Sequence, residues 1–246
     1  MRLLTFALAL PLVLLPATPA LAGPSSWFGQ QEKGNGQLQT QERQLPAYQR
    51  VELRTSLDVL ITEGPSARTR VTVDSNLQPL LTTKVEGGTL VISTEGRGID
   101  ESRGSKVELV MPQLAGVEIR GSGDVRVERS SPAEALELGV QGSGDLSFRG
   151  SARSVRVRVQ GSGDVKLAGG KTERLEVSIR GSGDVAAREL PTREATVEIQ
   201  GSGNTELTAT GGALSFDIRG SGDVTWWGEG QVKRTHVRGS GAVSHR

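Results

Sequence analysis

From Ala115 to Trp226 apolar and polar residues alternate in short runs, and the same four-residue step joins each pair of runs. In the third copy Val155, Val157 and Val159 alternate with Arg156 and Arg158; then come Gly161-Ser162-Gly163-Asp164 and the alternating pair Val165 and Leu167. Strict alternation is the pattern of a strand with one buried face. The Gly-Ser-Gly step starts at Gly121, Gly142, Gly161, Gly181, Gly201, Gly220 and Gly239, at intervals of 21, 19, 20, 20, 19 and 19 residues. Each unit therefore reads as strand, corner, strand and a variable turn that absorbs the differences in period.

A unit of this length cannot bury its own apolar face, whereas stacked copies give every strand a neighbour and build a continuous core. The fold class expected is all-β: a right-handed parallel β-helix or solenoid with coils of about 20 residues, stacked about 4.8 Å apart. An antiparallel sandwich would give the near-identical corners no reason to align. Glycine at two corner positions suits a backbone with φ > 0 or close stacking on the next coil. Val51 to Ile61 aligns residue by residue with Val117 to Val127, keeping Ser56 and Asp58 and losing both glycines. Val71 to Val73, Thr89 to Ile92 and Val107 to Met111 read as further strands. Residues 47–112 are thus expected to form a less regular β cap, ahead of the repeats at 113–246. The seventh copy decays: Lys233, Thr235 and Val237 take the inward positions, and Ala242 replaces the corner carboxylate. That coil is expected to be its own cap, with Trp226 as an apolar plug, and the protein to be a monomer.

Ahead of the repeats, Met1-Arg2, the apolar run from Leu3 to Leu15 and the Ala20-Leu21-Ala22 site read as a secretory signal peptide over 1–22. Residues 23–46, rich in Gln, Gly and Ser, read as a flexible linker carrying the aromatic pair Trp27-Phe28. There is no cysteine, and the 2 histidines, His236 and His245, both lie near the end. Thiol chemistry and Cys-based metal sites are excluded, and imidazole catalysis is not expected. Removing the leader with Arg2 leaves equal numbers of acidic and basic residues, which argues against nucleic acid or anionic lipid held by bulk charge. Neither a Gly-x-Ser-x-Gly elbow nor a His-Glu-x-x-His pair occurs. No stretch after the leader could span a membrane as a helix.

Stacking would bring two columns together. Asp58, Asp124, Asp145, Asp164, Asp184, Asn204 and Asp223 form one at the corner. Like charges in such a ladder repel unless compensated. Local backbone N–H groups and the adjacent serines offer one compensation, as in Asx turns. Calcium between successive carboxylates would be the other; no metal or cofactor is expected. Just before the corner, Arg120, Gln141, Gln160, Arg180, Gln200, Arg219 and Arg238 form an outward stripe of planar donors, with Arg54 in the degenerate copy. Such a stripe is either a solvated ladder or a surface suited to sugar hydroxyls and carboxylates.

Several segments together carry a resemblance: Leu53 to Ile61 with its Ser-x-Asp-Val core, Gly87 to Ile92, and Val110 to Leu114 leading into Val117 to Val125. They resemble the head GIN domain family of "putative auto-transporter adhesins" over about Ala47 to Arg246. The resemblance implies a secreted or periplasmic bacterial β-rich domain, with adhesion suggested by the family's name. No membrane β-barrel segment follows, so autotransport by this chain itself is not expected. The function expected is a non-catalytic, exported interaction module, in the periplasm or at the cell surface, presenting a solenoid face to a polysaccharide or envelope protein. A polysaccharide-active β-helix enzyme and a structural spacer are the alternatives.

Overall fold

The computed structural model describes residues 31–94, 96, 98–129 and 131–246; the leader, Trp27 and Phe28 lie outside the described residues. Among the described residues there is no helix, and therefore none long and apolar enough to cross a membrane. The first half holds β1 (Gln31–Lys33), β2 (Leu38–Arg43), β3 (Arg50–Arg54), β4 (Val59–Glu63), β5 (Arg68–Asp74), β6 (Thr82–Glu86), β7 (Thr89–Ser93), β8 (Gly98–Asp100) and β9 (Lys106–Met111). The repeats then supply β10 (Gly116–Ile119), β11 (Val125–Glu128), β12 (Ala133–Gly142), β13 (Leu146–Arg149), β14 (Ala152–Gly161), β15 (Val165–Ala168), β16 (Thr172–Gly181) and β17 (Val185–Gly201). The last strands are β18 (Thr205–Ala209), β19 (Ala213–Gly220), β20 (Val224–Gly228), β21 (Gln231–Gly239) and β22 (Val243–His245).

Each coil contributes one strand before its corner and one after it. The strands before the corner, β3, β10, β12, β14, β16, the second half of β17, β19 and β21, stack in parallel on one side. Those after it, β4, β11, β13, β15, the start of β17, β18, β20 and β22, stack on the other. Valine, leucine and isoleucine from both sides meet between them; Val51, Val117, Leu138, Val157, Val177, Val197 and Phe216 form one continuous buried column. The expected β-solenoid is what the chain builds.

Register in the first coils follows the sequence alignment: Val117 pairs with Val51, Ile119 with Leu53 and Val125 with Val59. The order of stacking, however, is not the order of the chain. β7 and β9 form a coil on the far side of β3 and β4, so the chain returns past its own first coil before starting β10. On that outer coil β6 and β5 run antiparallel, and β2 runs antiparallel to β5. Parallel stacking therefore ends in antiparallel pairs, which close the apolar end with backbone bonds.

Residues 31–43 differ from the flexible linker expected over 23–46, because β1 pairs with β8 and β2 with β5. β2 reads Leu-Gln-Thr-Gln-Glu-Arg, without an apolar face, and it is held through its backbone and through Gln78, whose Nε2 donates to the Gln39 carbonyl at 2.6 Å. A polar outer strand of this kind blunts a sheet edge. Its hydrophilic sequence is the reason it reads as linker.

At the other end a bulge changes the expected phase. Val232 lies opposite Leu214, Thr235 opposite Phe216 and Val237 opposite Ile218, so Lys233 is the extra residue and not an inward one. Its Nζ donates to Gln231 Oε1 instead. Trp226 is buried as expected, and its ring stacks on His245, with centroids 3.8 Å apart and planes within 11°. Trp227 carries the Arg188 guanidinium over its ring, 4.3 Å from the centroid.

One buried charge ties the cap together. Asp74 is fully buried and accepts hydrogen bonds from the Gly36 N–H (2.7 Å), the Ser102 N–H (2.8 Å) and the Ser102 hydroxyl (2.7 Å). Burial pushes its pKa up, but the donors from Ser102 and Gly36 outweigh it and hold the carboxyl below the usual range. A depressed folded pKa gives stability that is complete above the unfolded value, near pH 4, and lost as pH falls through the folded one. Asp74→Asn should therefore cost about 2–3 kcal/mol at pH 7, and the gap between wild type and variant should narrow as pH falls below about 4. Thermal melts on either side of that pH check this; an equal gap at both would refute it.

Candidate functional site

The corner is built from contacts between coils. In the first six copies the first glycine's carbonyl accepts from two N–H groups of the next coil: Gly142 O receives Ser162 N at 3.0 Å and Gly163 N at 3.2 Å. Gly161 has φ = +128°, and a side chain there would also strike the Gly142 backbone. For Gly163 it is space alone that forbids a side chain, since a Cβ would overlap the Gly144 carbonyl. Thr55 and Leu57 escape both demands because the coil beyond them joins β7 to β9 through a longer connection that carries β8 in place of a Gly-Ser-Gly corner.

The aspartates close the remaining gap. Asp124 N donates to Asp58 Oδ1 (3.2 Å), Asp145 N to Asp124 Oδ1 (2.9 Å) and Asp164 N to Asp145 Oδ1 (2.9 Å). Above them Asp184 N donates to Asp164 Oδ1 (2.8 Å), Asn204 N to Asp184 Oδ1 (2.6 Å) and Asp223 N to Asn204 Oδ1 (3.0 Å). Ala242 N completes the series on Asp223 Oδ1 at 2.7 Å. The donors come from the neighbouring coil, where an Asx turn would have used the residue's own. Asn204 also turns its Nδ2 to Asp184 Oδ1 (3.1 Å), placing a neutral donor within the acidic column. Among the described residues no group of His, Cys, Asp or Glu forms a metal cluster.

The predicted donor column is in register and exposed: Gln141 pairs with Gln160, Gln160 with Arg180, Arg180 with Gln200, Gln200 with Arg219 and Arg219 with Arg238. Its members are not equivalent. Arg120 Nε lies 3.2 Å from Glu52 Oε1, which Arg54 also holds at 2.6 Å, and Arg219 lies 3.3 Å from Asp217. Gln160, Arg180 and Gln200 form an uninterrupted stretch facing solvent. Beside the column, Gly116 and Gly139 replace side chains on the outer face and leave a depression. Arg50 reaches across Gly116 to Glu137 at 2.8 Å. Glu118 lies over Gly139, and its pKa is raised by burial first and by Glu52 second, against Arg120, Arg158 and Gln141.

Sequence reasoning missed a second surface, on the turn side away from the corner. Arg129 continues the inward phase of Val125 and Val127, above Glu63 of the coil below. Its side chain is only 5% exposed; Nη2 donates to the Pro112 carbonyl at 3.4 Å and lies 3.8 Å from Glu63, while Nε and Nη1 are buried without a partner. Leaving charged N–H groups unpaired costs about 1–3 kcal/mol each. A cavity of about 300 Å³ is walled by Arg129, Gln113, Ala115 and Pro132 to Ala135. It adjoins a longer groove of about 810 Å³ that shares Pro132, Ala133 and Glu134 and runs past Ala152 and Thr172 to Thr210. An arginine at an inward strand position was the available signal.

Residues 47–230 match the family described as "Putative auto-transporter adhesin, head GIN domain". The chain belongs to that family. Solved structures share the fold. A "putative adhesin" from Bacteroides fragilis has a TM-score of 0.79 at 20% identity, covering 87% of this chain and 99% of its own. A "putative lipid binding protein" from Parabacteroides distasonis gives 0.71 at 21%, covering 88% and 100%. A "putative adhesin" from that same species gives 0.69 at 22%, covering 88% and 100%. No curated protein matches the sequence.

Two outcomes test the corner. Gly161→Ala should cost about 3 kcal/mol or more in urea unfolding, from its φ and its overlap with the next coil, while Ser162→Ala should change stability by less than about 0.5 kcal/mol. Because backbone N–H groups already occupy the Asp column, EDTA should leave the melting temperature unchanged; a fall of several degrees would show that calcium holds the ladder.

Proposed function

We propose that this protein is an exported, non-catalytic adhesion-type module that engages a polysaccharide or cell-envelope protein through the corner side of its solenoid, in the periplasm or at the cell surface. The observation that carries the reading is the solvent-facing run Gln160, Arg180 and Gln200, held in register by parallel pairing. Repeated planar donors at a fixed spacing suit a repeating ligand: each coil offers amide or guanidinium N–H groups to hydroxyls or carboxylates. Family membership supports the adhesion-type role, and the apolar leader supports export. The non-catalytic part rests on chemistry. The acidic pair on the outer face, Glu52 and Glu118, is tied to Arg54 and Arg120 by ion pairs of 2.6 to 3.9 Å.

The test is a binding screen of the mature protein against envelope and extracellular polysaccharides, with product analysis for cleavage. The triple variant Gln160→Ala, Arg180→Ala, Gln200→Ala, all at exposed sites, should melt like wild type and bind a retained polysaccharide at least tenfold more weakly. Undiminished binding by the triple variant would refute the assignment to this face; release of shortened chains would refute the non-catalytic reading.

A further inference from the structure

We propose that the outer edge of β21 is a docking site for an extended acidic segment of another protein, which adds to the solenoid as one more strand. The inference does not rest on the polysaccharide reading above.

The two ends of the solenoid differ. Beyond β7 and β9 the stack is finished by antiparallel β6, β5 and β2. At the other end, among the described residues, β21 pairs with β19 alone, so its outer row of backbone N–H and C=O groups faces no strand. Such a row is a template for strand addition. The large apolar side chains exposed among the described residues are Leu38, Val232 and Val237, and the last two, at 43% and 37%, are on β21. Val237 stands beside buried Ile218 in the inward phase, so a further strand would cover it.

Charge selects the strand. Of the strands before a corner, β14 and β21 each carry three Lys or Arg and no carboxylate. Inside the stack β14 is answered from both sides. Arg156 lies 3.7 Å from Glu137 and 2.6 Å from Glu176, the residues directly opposite it on β12 and β16, and Arg153 lies 3.7 Å from Glu134 and 3.1 Å from Glu173. On β21 the answer comes from one side and is shared: Arg234 lies 3.6 Å from Asp217, which Arg219 also holds at 3.3 Å. Arg238 stands opposite Arg219, a like-charge pair that destabilises a ladder. Carboxylates on a further strand would do for Arg234 and Arg238 what Glu173 and Glu176 do for β14.

The same charges turn away a second copy, since β21 laid on β21 offers its cations only cations. Residues 23–30 of this chain contain no Asp or Glu and do not supply the strand either. Beyond the bulge at Lys233, pairing is regular from Arg234 to Gly239. The partner therefore alternates acidic residues, opposite Arg234, His236 and Arg238, with apolar ones opposite Thr235 and Val237. That alternation reads the same in either strand direction.

The probe is a short acetylated, amidated peptide alternating glutamate with valine, its binding to the mature protein followed by fluorescence anisotropy. Three peptides serve as controls: the same residues in two blocks, the alternating peptide with proline in place of valine, which removes backbone donors and keeps the charge, and a lysine–valine peptide. Wild type should bind the glutamate–valine peptide at least tenfold more tightly than any control. Arg234→Glu with Arg238→Glu, both at exposed sites, should keep a cooperative melt near that of wild type, lose this peptide and bind the lysine–valine one. The triple variant of the corner column should bind the peptide as wild type does. Equal binding of the blocked or proline peptide would reduce the effect to attraction of any polyanion and overturn strand addition. Binding that survives the charge reversal, a wild-type dimer that the peptide dissociates, or no binding of any peptide would overturn the proposal as well, and each leaves the corner-face reading to its own test.

Discussion

Coils in this protein approach one another at the corner more closely than any side chain allows. The carbonyl of one coil's glycine stands where the next coil's Cβ would be, and the gain is that two N–H groups converge on that carbonyl at hydrogen-bond distance. The ladders of the parallel strands set the stacking distance, and this contact fits it. It pins the corners over one another, so the strands on both sides stay in register. It places each aspartate beside the N–H of the next coil, and it sets the outward residues in straight columns. Apolar burial then supplies the bulk of the stabilisation, but an ordinary alternating strand could do as much in a sandwich.

That contact also explains what the sequence made legible. Glycines forced by close approach cannot drift, so the period, the strands flanking each corner and the residues sharing a column are visible without coordinates; Val117 over Val51 is one example. The cap was less legible for a physical reason. Its strands close an edge through backbone bonds, which leave little trace in side-chain pattern, and β2 carries almost no apolar residue. Nor does alternation report stacking order, so nothing in the sequence of β7 or β9 announced that they lie beyond β3 and β4.

The candidate surfaces divide along the same line. The donor column was readable because it repeats. Arg129 does not repeat: inward phase holds valine at 125 and 127 and then arginine, and only the packing shows that Glu63 and the Pro112 carbonyl satisfy part of it. The bulge at Lys233 was hidden similarly, since one inserted residue leaves the corner unchanged and shifts only the phase before it. Features that break a repeat are where position-specific chemistry can accumulate, and they are the ones a periodic reading smooths over.

The aspartate ladder has a direction. Every rung runs from a backbone N–H to the carboxylate or amide of the coil before it, so a coil's two faces are not interchangeable: one presents an acceptor and the other a donor. Assembly by adding coils is therefore polar, like growth at one end of a filament. Asp223 offers the final acceptor and Ala242 takes it, but Ala242 has no oxygen on its side chain to offer in turn. Any strand-rich segment arriving at that face, from a second molecule or from elsewhere, meets open backbone edges but no seat for its own corner N–H. A methyl group in place of a carboxylate thus leaves that face of the described coils without a side-chain acceptor for a further corner N–H.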